Sequence, residues 1–398
     1  MNLWSANTPA RFWCCQPQVP DDRWAVAVWG ALPALGLSLQ PHDMDELLAL
    51  VLGEGQFGPD HWQLGLARRW YYTLKPLVPR ALTHYLRRVQ SPSARVGFPL
   101  GWPIEDRYAH FQWEVVRQLL IVTGRQALGY YPFWPKGQRF SFVLTHDIET
   151  GEGQGHVRAV ADLDESFGFR SSFNFVPERY RLDRGLIADL RRRGFEIGVH
   201  GLRHDGKLFG SRAEFMRRAE RINSHMKELG AAGFRAPLMM RNPEWMQALH
   251  VEYDLSFFDT DPYEPIPGGT MSIWPFTIGR FLELPYTLVQ DHTLTAVLGE
   301  ITPRLWLEKV DFIETYLGMA LLNTHPDYLL DPVTWNVYAD FLRVMSERQG
   351  YWHALPREVA RWWRARGDAS AEAPTSGEAL GTVELTTDGI RVTCPDEF

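Results

Sequence analysis

Cysteine is nearly missing from this chain: three residues in 398, with Cys14 and Cys15 adjacent and Cys394 far away. Sequence neighbours rarely pair, so no disulfide framework is expected, and the chain reads as one built for a reducing compartment, the cytoplasm. A basic surplus is missing too. Lys plus Arg number 41 against 48 Asp plus Glu, a net charge of −7. That excludes a phosphate backbone as the main partner, so no nucleic acid is expected. Long apolar runs are also lacking. The longest charge-free stretch, Trp24 to Leu39, contains Pro33 and two glycines, and it falls short of the ~20 residues a spanning helix needs. It reads as a buried helix or a strand-and-helix pair, and no transmembrane segment is expected. The first twenty residues lack the basic-then-apolar pattern of a secretory signal.

What is present is material for a large core. The chain is 45% hydrophobic and 13% aromatic, which rules out whole-chain disorder and at roughly 150 residues per domain suggests two to three domains. Residues 1–135 hold nine of the 16 tryptophans, and apolar residues recur at helical spacing from Met44 and over Tyr108 to Val122. This is read as an aromatic-rich, mainly helical region. Its aromatics suit core packing, with stacking on sugar rings the alternative. Residues 91–107 are Pro- and Gly-rich and read as a loop. Residues 136–366 alternate short apolar runs (RFSFVLTH, SSFNFVP, FEIGVH, AGFRAP, LSFFDT, FLELPY, MALLNTH) with helical stretches at 156–167, 185–193, 211–229 and 303–316. Residues 367–398 read as a flexible acidic tail, with a short hairpin around Asp388-Gly389.

Strand alternating with helix predicts an α/β fold, either a parallel sheet or a barrel ringed by helices. A dinucleotide-binding sheet would open with a GxGxxG turn. Here the first strand runs instead into THDIETGEGQG, which lacks that spacing and carries carboxylates where a phosphate would sit. A barrel is therefore expected, with its chemistry at the strand ends. Those ends are polar directly after apolar runs: Thr145-His146-Asp147-Ile148-Glu149, His200 to Asp205, Arg235-Ala236-Pro237, Asp259-Thr260-Asp261, and Asn323-Thr324-His325-Pro326-Asp327. Two histidines four apart, His200 and His204, with a carboxylate from another strand suit zinc or a similar divalent metal in an open, catalytic site.

In this order the motifs resemble the polysaccharide deacetylase (NodB homology) family of carbohydrate esterases. The first motif, commonly T-F-D-D-G, is matched by Thr145 to Glu149. The H-x-x-x-H motif is matched by His200 and His204, R-x-P by Arg235-Ala236-Pro237, and a strand leading to histidine by Leu321 to His325. An acidic motif is only loosely similar to Phe258 to Asp261. The resemblance covers about residues 139 to 330. It departs at D-I-E, whose carboxylates are two apart, and at His146, which replaces an aromatic and is given no catalytic role.

The resemblance implies a distorted (β/α) barrel of the polysaccharide deacetylase type. It further implies a metal-dependent hydrolase that removes an N-acetyl group from an amino sugar in a glycan or glycan precursor. Glu149, His200 and His204 would hold a divalent metal, with Zn2+ the first expectation, to polarise the acetyl oxygen and acidify water. Asp147 would be the base, with the swapped assignment, Asp147 as ligand, left open; residues i and i+2 of an extended segment point the same way. His325 would protonate the departing amine, and Arg235 would orient Asp147. Asp327 would hold His325 or be a solvated loop residue. The competing readings are an amidohydrolase of a small cyclic amide or imide, and a non-catalytic carbohydrate-binding relative.

Overall fold

The computed structural model describes residues 2–59, 61–62, 94–369 and 380–395. Two strands come early, β1 (Cys15–Gln16) and β2 (Ala127–Tyr130). The main sheet follows with β3 (Phe140–Ile148), β4 (Ser172–Phe175), β5 (Glu196–His200), β6 (Gly233–Arg235), β7 (Tyr253–Asp254), β8 (Phe276–Ile278), β9 (Phe281–Glu283), β10 (Met319–Thr324) and β11 (Tyr351–His353). Its order is β10-β3-β4-β5-β6-β7-β9-β8, with β11 beside the first residues of β3. Every pairing in it is parallel except β8 with β9.

Single bridges close the curl. The segment after β9 joins Tyr286 to Phe258 and Leu288 to Leu322 of β10, both in parallel. The sheet thus returns to its own first strand through isolated bridges rather than a ladder. This is the distorted α/β barrel that the sequence implies, with every parallel strand pointing its C-terminal end toward one face.

Helices provide the crossovers that parallel pairing requires. Helix Gly151–Ser166 follows β3, Arg184–Arg192 follows β4, Arg212–Glu228 follows β5, and Pro332–Glu347 follows β10. Each begins on a capping side chain: Thr150, Asp183, Ser211 and Asp331 accept from the backbone N–H three residues on, a contribution of about 1 kcal/mol each. The first helix starts at Gly151, ahead of the expected 156, because its glycine-rich opening turn has a cap but no apolar period. Gly153 is needed there: a Cβ would stand 2.1 Å from Asp327 Oδ2.

One expected strand is displaced. The run LSFFDT, residues 255–260, reads as a strand, yet β7 ends at Asp254 and within the run only Phe258 makes a bridge. Side-chain carboxylates take the donors that a ladder would use: Ser256 N donates to Asp254 Oδ2 and Phe257 N to Glu283 Oε1. The tail differs as well. Helix Pro356–Ala369 runs through the first residues of the expected linker, whose remainder, 370–379, lies outside the described residues. Beyond it β12 (Gly381–Thr386) and β13 (Gly389–Thr393) form a hairpin that turns on Thr387-Asp388. This hairpin completes a second, antiparallel sheet of order β1-β2-β12-β13.

The early helices pack on the barrel rather than standing apart. Helix Asp21–Ala31 lies on helix Arg107–Thr123. The rings of Phe12, Trp113 and Phe133 pack on Trp274 of the barrel at centroid separations of 4.9–6.4 Å, and Trp13 packs on Trp113 and Phe133. Most of this aromatic surplus is therefore core, the stronger of the two readings. Among the described residues no helix is long and apolar enough to cross a membrane.

Candidate metal centre at the barrel mouth

Asp147 is the next-to-last residue of β3, a strand buried along its whole length. Its carboxylate is fully engaged. Oδ1 accepts from Asn174 Nδ2 at 2.9 Å and from Arg235 Nη1 at 3.1 Å, and Oδ2 accepts from Asn323 Nδ2 at 3.0 Å. Burial pushes this carboxyl upward, but Arg235, His200, His325 and the Asn174 hydrogen bond together hold it well below the usual carboxylate range. Arg235, the last residue of β6, is wholly buried and donates through Nε to Leu255 O and through Nη1 to Thr145 and Asn323 as well. Its guanidinium is thus fixed in a plane against Asp147.

His200 ends β5, and its Nδ1 contacts Arg235 O at 3.2 Å. Given to that carbonyl, Nδ1–H leaves Nε2 for a ligand, the arrangement that orients metal-bound imidazoles. The next residue, Gly201, has φ +63°, and a Cβ there would meet the Pro237 ring at 2.3 Å. A tight turn through it brings His204 back, itself at φ 53°, until the two imidazole centroids are 5.0 Å apart. Burial pulls His200 down to about 4, so the ring is neutral at pH 7, the form that binds metals.

Glu149 stands one residue beyond β3. One donor atom from each of Glu149, His200 and His204 lies within 4.8 Å of the others, a separation that fits one ion between them. His204 Nε2 gives a direct test of that fit. It is buried and 3.0 Å from Glu149 Oε1, yet it makes no hydrogen bond. A buried ring nitrogen facing a carboxylate off the hydrogen-bond line is unsatisfied as it stands and is satisfied by a shared cation. Two imidazoles and one carboxylate are a donor set suited to zinc. Burial pushes Glu149 upward, but the neighbouring His204, with His325 and His200, keeps it well below the usual range.

His325 follows β10 and is held by a residue that the sequence did not single out. Asp291 Oδ1 lies 2.7 Å from His325 Nδ1, and its Oδ2 accepts from His325 N at 2.8 Å. Burial alone would lower this imidazole, but the Asp291 carboxylate outweighs it and raises His325 to about 10. Asp327 does something else. It accepts from Glu149 N at 2.9 Å and from the Thr150 hydroxyl, pinning the turn that presents Glu149. The loosely matched acidic motif also lies elsewhere: Asp259 pairs with Lys309, and Asp261 accepts from Tyr286. His146 lies beneath the site between Thr324 and Asp164, wholly buried.

The six residues singled out from sequence, Asp147, Glu149, His200, His204, Arg235 and His325, are thus neighbours at one mouth of the barrel. Asn174, Asn323 and Asp291 complete their surroundings. The sign of Asp291 in the sequence is weak: an acid two residues past the short apolar run Leu288-Val289.

No family model and no curated protein matches the chain. Solved structures do. A protein of Mycobacterium smegmatis assigned as a polysaccharide deacetylase aligns at TM-score 0.48 and 17% identity, over 62% of this chain and 96% of its own. PuuE allantoinase aligns at 0.48 and 15%, over 59% of this chain and 93% of its own. The peptidoglycan deacetylase PdaC of Bacillus subtilis aligns at 0.39 and 12%, over 60% and 97%. In structure the chain is similar to these deacetylases and to this allantoinase.

Proposed function

We propose that this protein is a metal-dependent hydrolase that removes the N-acetyl group of an amino sugar in a glycan or glycan precursor. One observation carries the reading: Glu149, His200 and His204 converge beside a carboxylate braced by Arg235 and two asparagines, with His325 held by Asp291 on the other side. A divalent ion, Zn2+ first, supplies Lewis acidity toward a carbonyl oxygen and lowers the pKa of water when bound. Asp147, kept ionised by Arg235, accepts the proton that the attacking water gives up. The water oxygen bonds to the acetyl carbon, and the carbon–nitrogen bond then breaks. His325 hands its proton to the departing nitrogen through Nε2, while Asp291 holds Nδ1 and keeps the ring cationic. Products are acetate and an amine, and the proton taken by Asp147 offsets the one given by His325.

The partner is an N-acetylated sugar. In the cytoplasm, the expected location, it is a nucleotide- or lipid-linked precursor rather than finished polymer. The test is acetate release, with metal content measured on the same sample. Probes are tetra-N-acetylchitotetraose, UDP-N-acetylglucosamine and a lipid-linked N-acetylglucosamine, with hydantoin as the cyclic-amide arm. Zinc-loaded protein should hold one ion per chain and release acetate from at least one sugar, and lose both on chelation. Turnover of hydantoin alone would move the reading to the cyclic-amide class. Full acetate release by metal-free protein would sink the metal dependence.

A further inference from the structure

Asn323 is bonded at both ends of its amide. Its Oδ1 accepts from Arg235 Nη1 and its Nδ2 donates to Asp147 Oδ2 at 3.0 Å. The chain of side chains does not stop there. Asn323 Nδ2 also lies 3.4 Å from Gln290 Oε1, and Gln290 Nε2 donates at 2.5 Å to Glu264 Oε1. Tyr286 Oη lies 2.8 Å from Glu264 Oε1 and 2.9 Å from Asp261 Oδ2, so the two carboxyl groups share its one hydrogen. All of these side chains are buried.

The polarity runs one way. An amide has a donor end and an acceptor end, and exchanging them at Gln290 would set donor against donor at Asn323 and acceptor against acceptor at Glu264. A proton on Glu264 would remove only the second of these clashes; the first remains, because Arg235 and Asp147 fix the Asn323 amide and leave its Nδ2 facing Gln290. Both hydrogens of the Asn323 amide are therefore committed, one to the base and one to Gln290. Rotating that amide breaks bonds on both sides in a water-poor site, where unpaired polar groups are costly. Gln290 also precedes Asp291, so one dipeptide reaches Asn323 with its first residue and His325 with its second.

We propose that Gln290 and Glu264 are positioning residues that brace Asp147 through the Asn323 amide. They act on the base through other side chains and touch neither ion nor substrate. The activity arm below rests on the proposed deacetylase reading; the unfolding arm does not.

The deciding comparison is a swap. In Gln290→Glu two carboxylates meet where a donor met an acceptor; kcat on the best chitotetraose or nucleotide-sugar probe should fall by roughly tenfold or more with KM nearly unchanged. Adding Glu264→Gln restores one donor and one acceptor at that contact, and most of the lost kcat should return. A double variant no faster than Gln290→Glu would overturn the brace. So would a change in KM with kcat intact, which would mark Gln290 as a substrate contact. Thermal unfolding reads the same linkage without any substrate. The swap should recover Tm relative to Gln290→Glu, and the Tm loss from Gln290→Leu should shrink when Asn323→Leu is already present. Additive losses would overturn the proposal even if no sugar were hydrolysed, an outcome that by itself would count only against the deacetylase reading.

Discussion

The barrel mouth and the N-terminal region both bury charge, and they do so to different ends. In the N-terminal region Glu54 is wholly buried, takes two hydrogen bonds of 2.6 Å from Arg241 and a third from Gly269 N at 2.6 Å. Every strong contact of that carboxylate is closed within the protein, and the pair locks the early helices to the barrel. At the mouth, His204 Nε2 is buried without a hydrogen bond, and Glu149 faces it. A charge satisfied internally stabilises; a donor set left for a ligand waits for chemistry. The two regions should therefore fail in different ways.

The sharpest break is at the ligands. His200→Ala or His204→Ala should release the ion and abolish metal-dependent hydrolysis. The fold should persist, because these residues end a strand and line an opening rather than fill the core. Metal analysis beside a thermal melt checks this, and an unchanged ion content with full activity would remove them as ligands. Next, Asp147→Asn should lower turnover by about 10²–10⁴-fold, since an amide cannot accept the proton of water. The ion should stay. If the ion is lost from Asp147→Asn while Glu149→Gln keeps it, the roles of the two carboxylates are exchanged.

Glu54→Gln tests the other region. It leaves Arg241 buried opposite a neutral group, so the protein should lose about 3–5 kcal/mol of stability. Turnover per folded molecule should not change. A pH series sharpens the point. Burial raises the Glu54 carboxyl, but Arg241 and His61 outweigh it and bring it down to about 2. A depressed folded value means that this stability is present above the unfolded value of about 4.5 and is lost as pH falls toward about 2. Denaturant melts between those limits should show a steeper acid loss in the wild type than in Glu54→Gln.

A smaller effect returns to the mouth. Asp291→Asn removes the carboxylate that holds His325 up at about 10, so its imidazole should titrate lower and the alkaline limb of the rate profile should move to lower pH. An unmoved limb would take His325 out of the proton transfer. Smallest is a change remote from both regions. Asp183→Ala deletes the cap that accepts from Leu186 N and should cost about 1 kcal/mol with unaltered kinetics.

Much of the site was legible in the sequence because a parallel strand states its own end. RFSFVLTH, FEIGVH and MALLNTH each turn from a mainly apolar run to polar residues at the C-terminal end of a strand, so Asp147, His200 and His325 stand out as polar groups at the mouth. The failures share a cause. Asp327 is two residues from His325, yet the partner of His325 is Asp291, 34 residues before it, brought close only because the segment after β9 returns beside β10. Asn174 carries no motif, and Asn323 shows only as one of several polar residues at a strand end, since a neutral amide reveals no role until both of its ends find partners. The expected strand over 255–260 failed because the Asp254 and Glu283 carboxylates capture its backbone donors.

Local chemistry therefore determined the alternation of elements, the caps, the glycines at tight turns and the positions where strands run into polar residues. These depend on neighbours a few residues apart, and their periods and spacings are written in the chain. Only the tertiary structure decided which distant groups meet. The barrel closes through two single bridges, Asp291 rather than Asp327 holds His325, and Gln290 and Glu264 reach the base through Asn323. Such contacts are fixed by how strands from distant parts of the chain curl around a common mouth. There, directional hydrogen bonds and buried charge select one partner among several chemically equivalent ones.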